Sequence, residues 1–126
     1  MANVLIVTGN KLVRWSLKEI LTQEGFGADV ALTTGDSLAK IANYSYALII
    51  VDAETRKINN ILEQIDKISP STKIIILSDF VDKQKTDFLC RSNIFLVIEK
   101  PFSIGQIKAA VLAALASPRT KDGRGE

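Results

Sequence analysis

The sequence predicts an α/β domain: a doubly wound, five-stranded parallel sheet with helices on both faces. Two observations carry this. Four short apolar runs, Val4–Val7, Ala47–Val51, Ile74–Leu77 and Ile94–Ile98, are continuous rather than alternating and rich in Ile and Val. Strands covered on both faces read this way. Between the runs lie segments with helical spacing, so strand and helix alternate along the chain.

Taken in order, the first strand is Val4–Val7. Residues 11 to 24 form the first helix, with Val13, Leu17, Ile20 and Leu21 on one stripe and Gly25 as its stop. Trp15 sits one position off that stripe and is expected at its packed edge, with Arg14 as a solvated charge. A weaker strand is expected near Ala28–Leu32. A short helix follows over 36 to 43 on Leu38, Ile41 and Ala42. After the Ala47–Val51 strand, residues 57 to 68 give the clearest helix, with Ile58, Ile61, Leu62, Ile65 and Ile68 on one face. Ser69-Pro70 ends it. The Ile74–Leu77 strand leads to a weaker helical pattern over 82 to 92, carrying Val81, Lys85, Phe88 and Leu89. The last strand, Ile94–Ile98, precedes a helix over 103 to 116 with Ile104, Ile107, Val111, Leu112 and Leu115 on its stripe.

Composition narrows the function classes. At 126 residues, 47% hydrophobic and 24% charged, the chain suits one globular domain over residues 1 to 116. Residues 117 to 126 are polar and read as a linker or disordered tail. Sixteen Lys and Arg against fourteen Asp and Glu give a net charge of +2. Part of that excess lies in the tail, so the body presents no basic field and no direct nucleic-acid contact is expected. There is no histidine. His-based catalysis, His-type zinc sites and a phosphohistidine role are thereby removed. The single cysteine, Cys90, forms no internal disulfide and reads as inert. No apolar run approaches the roughly 20 residues of a membrane span, and no export signal is evident, so a cytoplasmic protein without membrane contact is expected.

In doubly wound sheets, ligands bind beyond the carboxyl ends of the strands. The residues there are Thr8, Gly9 and Asn10; Asp52; Ser78 and Asp79; and Glu99, Lys100 and Pro101. On its own terms, Thr8-Gly9-Asn10 reads as a turn and helix cap, since Gly and Asn suit that geometry.

An Asp closing the third strand, a Ser closing the fourth and Lys-Pro closing the fifth resemble the receiver domain of bacterial two-component response regulators, a flavodoxin-like three-layer fold. Ile98-Glu99-Lys100-Pro101-Phe102 is similar to that family's last strand and loop. Leu12-Val13-Arg14-Trp15-Ser16-Leu17 is similar to receivers of enhancer-binding activators that work with sigma-N. The resemblance spans residues 3 to 116. It implies Asp52 as phosphoacceptor-like, Lys100 as the phosphoryl-pairing cation and Ser78 as the phosphoryl-contacting hydroxyl. It implies a histidine kinase or an output domain as partner, a non-enzymatic regulatory role in transcription, and contact or homodimerisation through the surface near Phe80, Phe88, Phe95 and Val97. The competing reading places those side chains in the core.

The sequence departs from the family pattern in four places. The acidic pair that anchors Mg²⁺ is replaced by Thr8 and Gly9. Magnesium prefers about six oxygens, usually including carboxylates, and glycine supplies none. The loop after Asp52, Ala53-Glu54-Thr55-Arg56-Lys57, lacks the family's Met-Pro-Gly type and looks shorter. Val97 stands where an aromatic ring is common, and Asp79 stands where a small residue is usual. Asp79 or Glu54 are the candidate rescue ligands; otherwise no metal and no cofactor are expected. Asp52 and Lys100 then form a balanced pair, worth on the order of 4 kcal/mol at about 4 Å and dielectric near 20 before desolvation. The expected function is an atypical receiver, an interaction module with weak or no Mg-dependent phosphorylation. The alternatives are a receiver phosphorylated on Asp52 and a small flavodoxin-like flavin-binding protein, the latter suggested by Val7-Thr8-Gly9-Asn10.

Overall fold

The computed structural model describes residues 3–52, 58–78, 94–99 and 102–116. Among them, five strands form one parallel sheet: β1 (Asn3–Val7), β2 (Gly27–Ala31), β3 (Leu48–Asp52), β4 (Lys73–Ser78) and β5 (Ile94–Glu99), in the order β2-β1-β3-β4-β5. The helices are α1 (Lys11–Gln23), α2 (Thr34–Asn43), α3 (Ile58–Ile68) and α4 (Ile104–Ala116). The helix expected over 82–92 lies outside the described residues, as does the tail.

Strand side chains alternate between two cores. Val4, Ile6, Leu48, Ile50, Ile75 and Leu77 face α1 and α4, where they meet Leu17, Ile20, Leu21, Ile107 and Val111. Leu5, Val7, Ile49, Val51, Ile74 and Ile76 face the other way, toward Ile41 of α2 and Ile61, Leu62 and Ile65 of α3. This double burial is why the strand sequences are apolar at every position. Each fully buried Leu or Ile contributes about 1.5–3 kcal/mol relative to exposure.

Helix ends follow local chemistry. The Asn10 side chain accepts the Val13 amide at 3.1 Å and caps α1. At the other end, Gly25 has φ 87°. The Phe26 amide donates to the Leu21 carbonyl, and the Gly25 amide to Thr22. That is a Schellman cap, which needs the left-handed residue glycine supplies. Thr33 caps α2 through the Asp36 amide at 3.0 Å, so this helix starts two residues before the expected position. Ser103 and Gln106 exchange side-chain and backbone hydrogen bonds at 2.8 and 3.1 Å, a capping box for α4. Lys108 of α4 reaches Glu24, just past α1, at 3.3 Å.

Two packing expectations need correction. The α4 stripe runs through Ile107, Ala110, Val111 and Ala114, while Ile104 and Leu112 are exposed. That helix is apolar nearly all round, and the small residues Ala110 and Ala114 share its buried face with Ile107 and Val111. Trp15 does not pack at the stripe's edge: it stands in solvent on α1, and Arg14 is the half-buried neighbour. The α1 interface is already filled by Leu17, Ile20 and Leu21.

One tie crosses the sheet edge. The buried Tyr46 hydroxyl donates to Asp29 Oδ2 of β2 at 2.7 Å. Burial first, then the Asp29 hydrogen bond and charge, raise its pKa far above the usual phenol value.

Candidate functional site

The carboxyl ends of β1, β3 and β4 converge because the strands are parallel and in register. Val7 pairs with Val51 across β1–β3. One step further along each chain places Thr8 beside Asp52. Asp52 pairs with Leu77 across β3–β4, and Ser78 is the next residue. Ser78 in turn pairs with Glu99 of β5. The residue after Glu99 is Lys100, which lies outside the described residues, as do Glu54, Asp79, Phe80 and Phe88.

The described core of the site is a short hydrogen-bond relay. The Asn10 amide donates to Thr8 Oγ1 at 3.0 Å. Thr8 Oγ1 donates to Asp52 Oδ2 at 2.9 Å. Both Thr8 and Asp52 are buried, at 4% and 6% exposure. A buried carboxylate needs such donors, since desolvation without hydrogen bonds is costly. Thr8 is also held by its own amide, which donates to the Ala31 carbonyl at 3.1 Å. The two residues sit on a cleft of about 210 Å³ whose wall also includes Gly9, Thr33, Thr34 and Val51.

The relay bears on the divalent ion that the sequence resemblance implies. The Thr8 oxygen accepts from a backbone amide, and its proton is directed at Asp52. A neutral hydroxyl so engaged is a poor substitute for a carboxylate ligand of a hard cation. Gly9 brings no side-chain oxygen. Among the described residues, no group of three or more Asp, Glu, Cys or His side chains could hold a metal. The described donor set does not fit Mg²⁺.

The expected contact surface is partly visible. Phe95 packs against the α1/α4 core and Val97 against the α2/α3 core, so the two project from opposite faces of β5. The register shifts between Ile74 and Ile75, whose partners are Ile94 and Leu96, which leaves Phe95 as the extra residue of a bulge. Sequence reasoning read Thr8 as part of a turn and as the replacement of a family acid, and missed its hydrogen bond to Asp52. The strand register was the signal that finds it.

The comparisons with known proteins agree with this architecture. The response regulator receiver domain family matches residues 4–112. No curated protein matched. Among solved structures, a CheY-like response regulator receiver domain protein from Methanospirillum hungatei JF-1 is 26% identical, with TM-score 0.84, covering 91% of this chain and 94% of that one. The beryllofluoride-activated NtrC4 receiver domain dimer is 24% identical, with TM-score 0.82, covering 91% and 97%. NtrX from Brucella abortus, solved with ATP, is 23% identical with TM-score 0.82, covering 98% of this chain but only 28% of its own. The fold, the strand-end placement of Asp52 and a family match over most of the length converge: this chain belongs to the response regulator receiver domain family, the receiving modules of two-component signalling.

Proposed function

We propose that this protein is an atypical receiver: a regulatory interaction module in which Mg-dependent phosphorylation of Asp52 is weak or absent. The single observation that carries this reading is the 2.9 Å hydrogen bond from Thr8 to Asp52, made where family members hold an acidic pair. Phosphoryl transfer to a carboxylate depends on charge neutralisation of the equatorial oxygens. With Thr8 and Gly9 in place of two acids, the pocket loses the anchor for the cation that does this.

The partners that fit are a histidine kinase or an output domain. The resemblance to sigma-N activators, together with the fold likeness to NtrC4 and NtrX, supports a role in transcription regulation in the cytoplasm. No helix among the described residues is long and apolar enough to cross a membrane. The family assignment replaces the flavin-binding alternative.

Intact-mass spectrometry after incubation with acetyl phosphate, with and without Mg²⁺, tests the proposal on wild type and Asp52→Asn. The expected result is no adduct under conditions that label an ordinary receiver. One phosphoryl adduct requiring both Mg²⁺ and Asp52 overturns it and makes this a working receiver, with Ser78 and Lys100 in their family roles.

A further inference from the structure

Thr8 is the junction of three elements, and it meets each with a different polar group. Its amide donates to the Ala31 carbonyl at the end of β2, at 3.1 Å. Its hydroxyl proton goes to Asp52 Oδ2 at the end of β3, at 2.9 Å. Its hydroxyl oxygen accepts the Asn10 amide at 3.0 Å, which closes a tight turn through Gly9. Asn10 is committed on both sides. Its carbonyl accepts the Arg14 amide at 2.9 Å, and its side-chain oxygen accepts the Val13 amide at 3.1 Å. Both oxygens of Asn10 thus hold the first turn of α1, while its backbone N–H holds Thr8. Gly9, between them, is exposed, and a Cβ built there meets only the Leu32 carbonyl at 3.9 Å. No side chain pins the turn from that position, so the Thr8–Asn10 hydrogen bond carries much of its definition.

The direction of the Thr8 proton matters. A hydroxyl has one proton and two lone pairs, and an ionised carboxylate can only accept. While Asp52 is charged, the Thr8 proton points to it and a lone pair is left for the Asn10 amide. A hydrogen bond to an anion is stronger than one to a neutral group. It also polarises the hydroxyl, which strengthens the bond that the same oxygen accepts. A neutral group at position 52 removes this support. Where it accepts the Thr8 proton, the polarisation falls. Where it donates, it takes a Thr8 lone pair in competition with the Asn10 amide. Both cases weaken the Asn10–Thr8 bond.

We infer that Thr8 couples the charge on Asp52 to the first turn of α1: a charged Asp52 holds the Asn10 cap closed, and loss of that charge loosens it. The element with two states is that first turn, because helix ends open locally without the rest of the fold. An N-cap contributes enough to bias such an opening. The turn carries Leu12, which is exposed, so its order alters the surface that α1 presents. The route leaves Asp52 on the β1 side, whereas Ser78 ends β4 on the other side of β3. The inference deepens the proposed reading of the site and rests on it, since it takes Asp52 as a regulatory carboxylate held without metal. The two fail separately. A phosphoryl adduct on Asp52 overturns that reading and leaves the relay of the unmodified chain in place, while absence of coupling overturns this inference alone.

A double-mutant cycle read by nuclear magnetic resonance tests it. Amide proton shifts and exchange rates are measured on 15N-labelled wild type, Asp52→Asn, Thr8→Val and the double variant. Asp52→Asn is expected to move the Asn10 and Val13 amide protons upfield and to speed their exchange about three- to tenfold, the range a lost cap gives. In the Thr8→Val background the same substitution is expected to leave both amides unchanged. Thr8→Ser, which keeps the hydroxyl, is expected to keep the coupling. The core amides of Ile50 and Leu77 separate a local effect from a general loss of stability, which would speed exchange throughout. Asp52→Ala, which removes the acceptor outright, gives the same sign and stands in where the Asn variant folds poorly. No change at Asn10 and Val13 when Asp52 is neutralised overturns the inference. So does an equal change with and without the Thr8 hydroxyl, since Asp52 would then reach α1 by another route.

Discussion

Thr8 of β1 donates its hydroxyl proton to Asp52 of β3 at 2.9 Å, and the Asn10 amide donates to the same Thr8 oxygen at 3.0 Å. One side chain thus ties the carboxylate to the cap of α1. Thr8→Val keeps the shape and removes the hydroxyl, leaving Asp52 short of a donor and Asn10 short of an acceptor. The expected loss is about 1.5–3 kcal/mol in urea unfolding, as for hydrogen bonds to charged groups. Thr8→Ser is expected to recover most of it. A Val variant as stable as wild type would show that the bond contributes nothing.

The missing metal anchor should be restorable. A Cβ built at Gly9 meets only the Leu32 carbonyl at 3.9 Å, an ordinary contact. Thr8→Asp/Gly9→Asp should therefore fold, with lowered stability from three crowded carboxylates. Added Mg²⁺ is expected to raise its melting temperature by mass action on the folded state, with calorimetric binding at least tenfold tighter than wild type. Equal Mg²⁺ response in both proteins would mean that the acids at these positions are not what the pocket lacks.

Tyr46 makes the domain sensitive to alkali. Its folded pKa is raised by burial first and then by Asp29, above the unfolded value of about 10. The neutral phenol is the native form. Its contribution is fully present below pH about 10 and is lost as pH rises beyond, because the unfolded chain releases the proton first. Tyr46→Phe is expected to cost about 1 kcal/mol at neutral pH and to flatten the decline of stability above pH about 10. A Phe variant with an unchanged alkaline slope would assign that slope to other groups.

Gly25 carries the turn out of α1 at φ 87°. Nothing lies within 4 Å of a Cβ built there, so Gly25→Ala tests backbone strain without a clash. The expected cost is about 1–2 kcal/mol, read from the denaturation midpoint. Gly25→Asn should cost less, since Asn tolerates the left-handed region.

Much of the fold was legible because burial on both faces writes itself into sequence. Val4–Val7 and Ile74–Leu77 could hardly be anything but central strands. β2 read weakly because it is an edge strand with a charged Asp29 in its middle. Asp52 and Ser78 were legible as strand-end residues, and Asn10 as a cap. The Thr8–Asp52 bond was not, since it depends on register between strands 44 residues apart. Trp15 was misplaced because helical periodicity locates the apolar stripe but does not say that the stripe is already full. The Phe95 bulge left no trace, as an inserted residue in an apolar run looks like any other.

Both outer strands of the sheet carry a device that discourages strand addition. At one edge β2 presents the ionisable Asp29 in mid-strand. At the other, β5 is thrown out of regular pairing at Phe95. Charges and bulges at sheet edges hinder another chain from extending the ladder. The consequence is a domain whose strands, though almost wholly apolar, are poorly suited to seed fibres. Solubility is thus protected at the two places where an apolar sheet is otherwise open to a second chain.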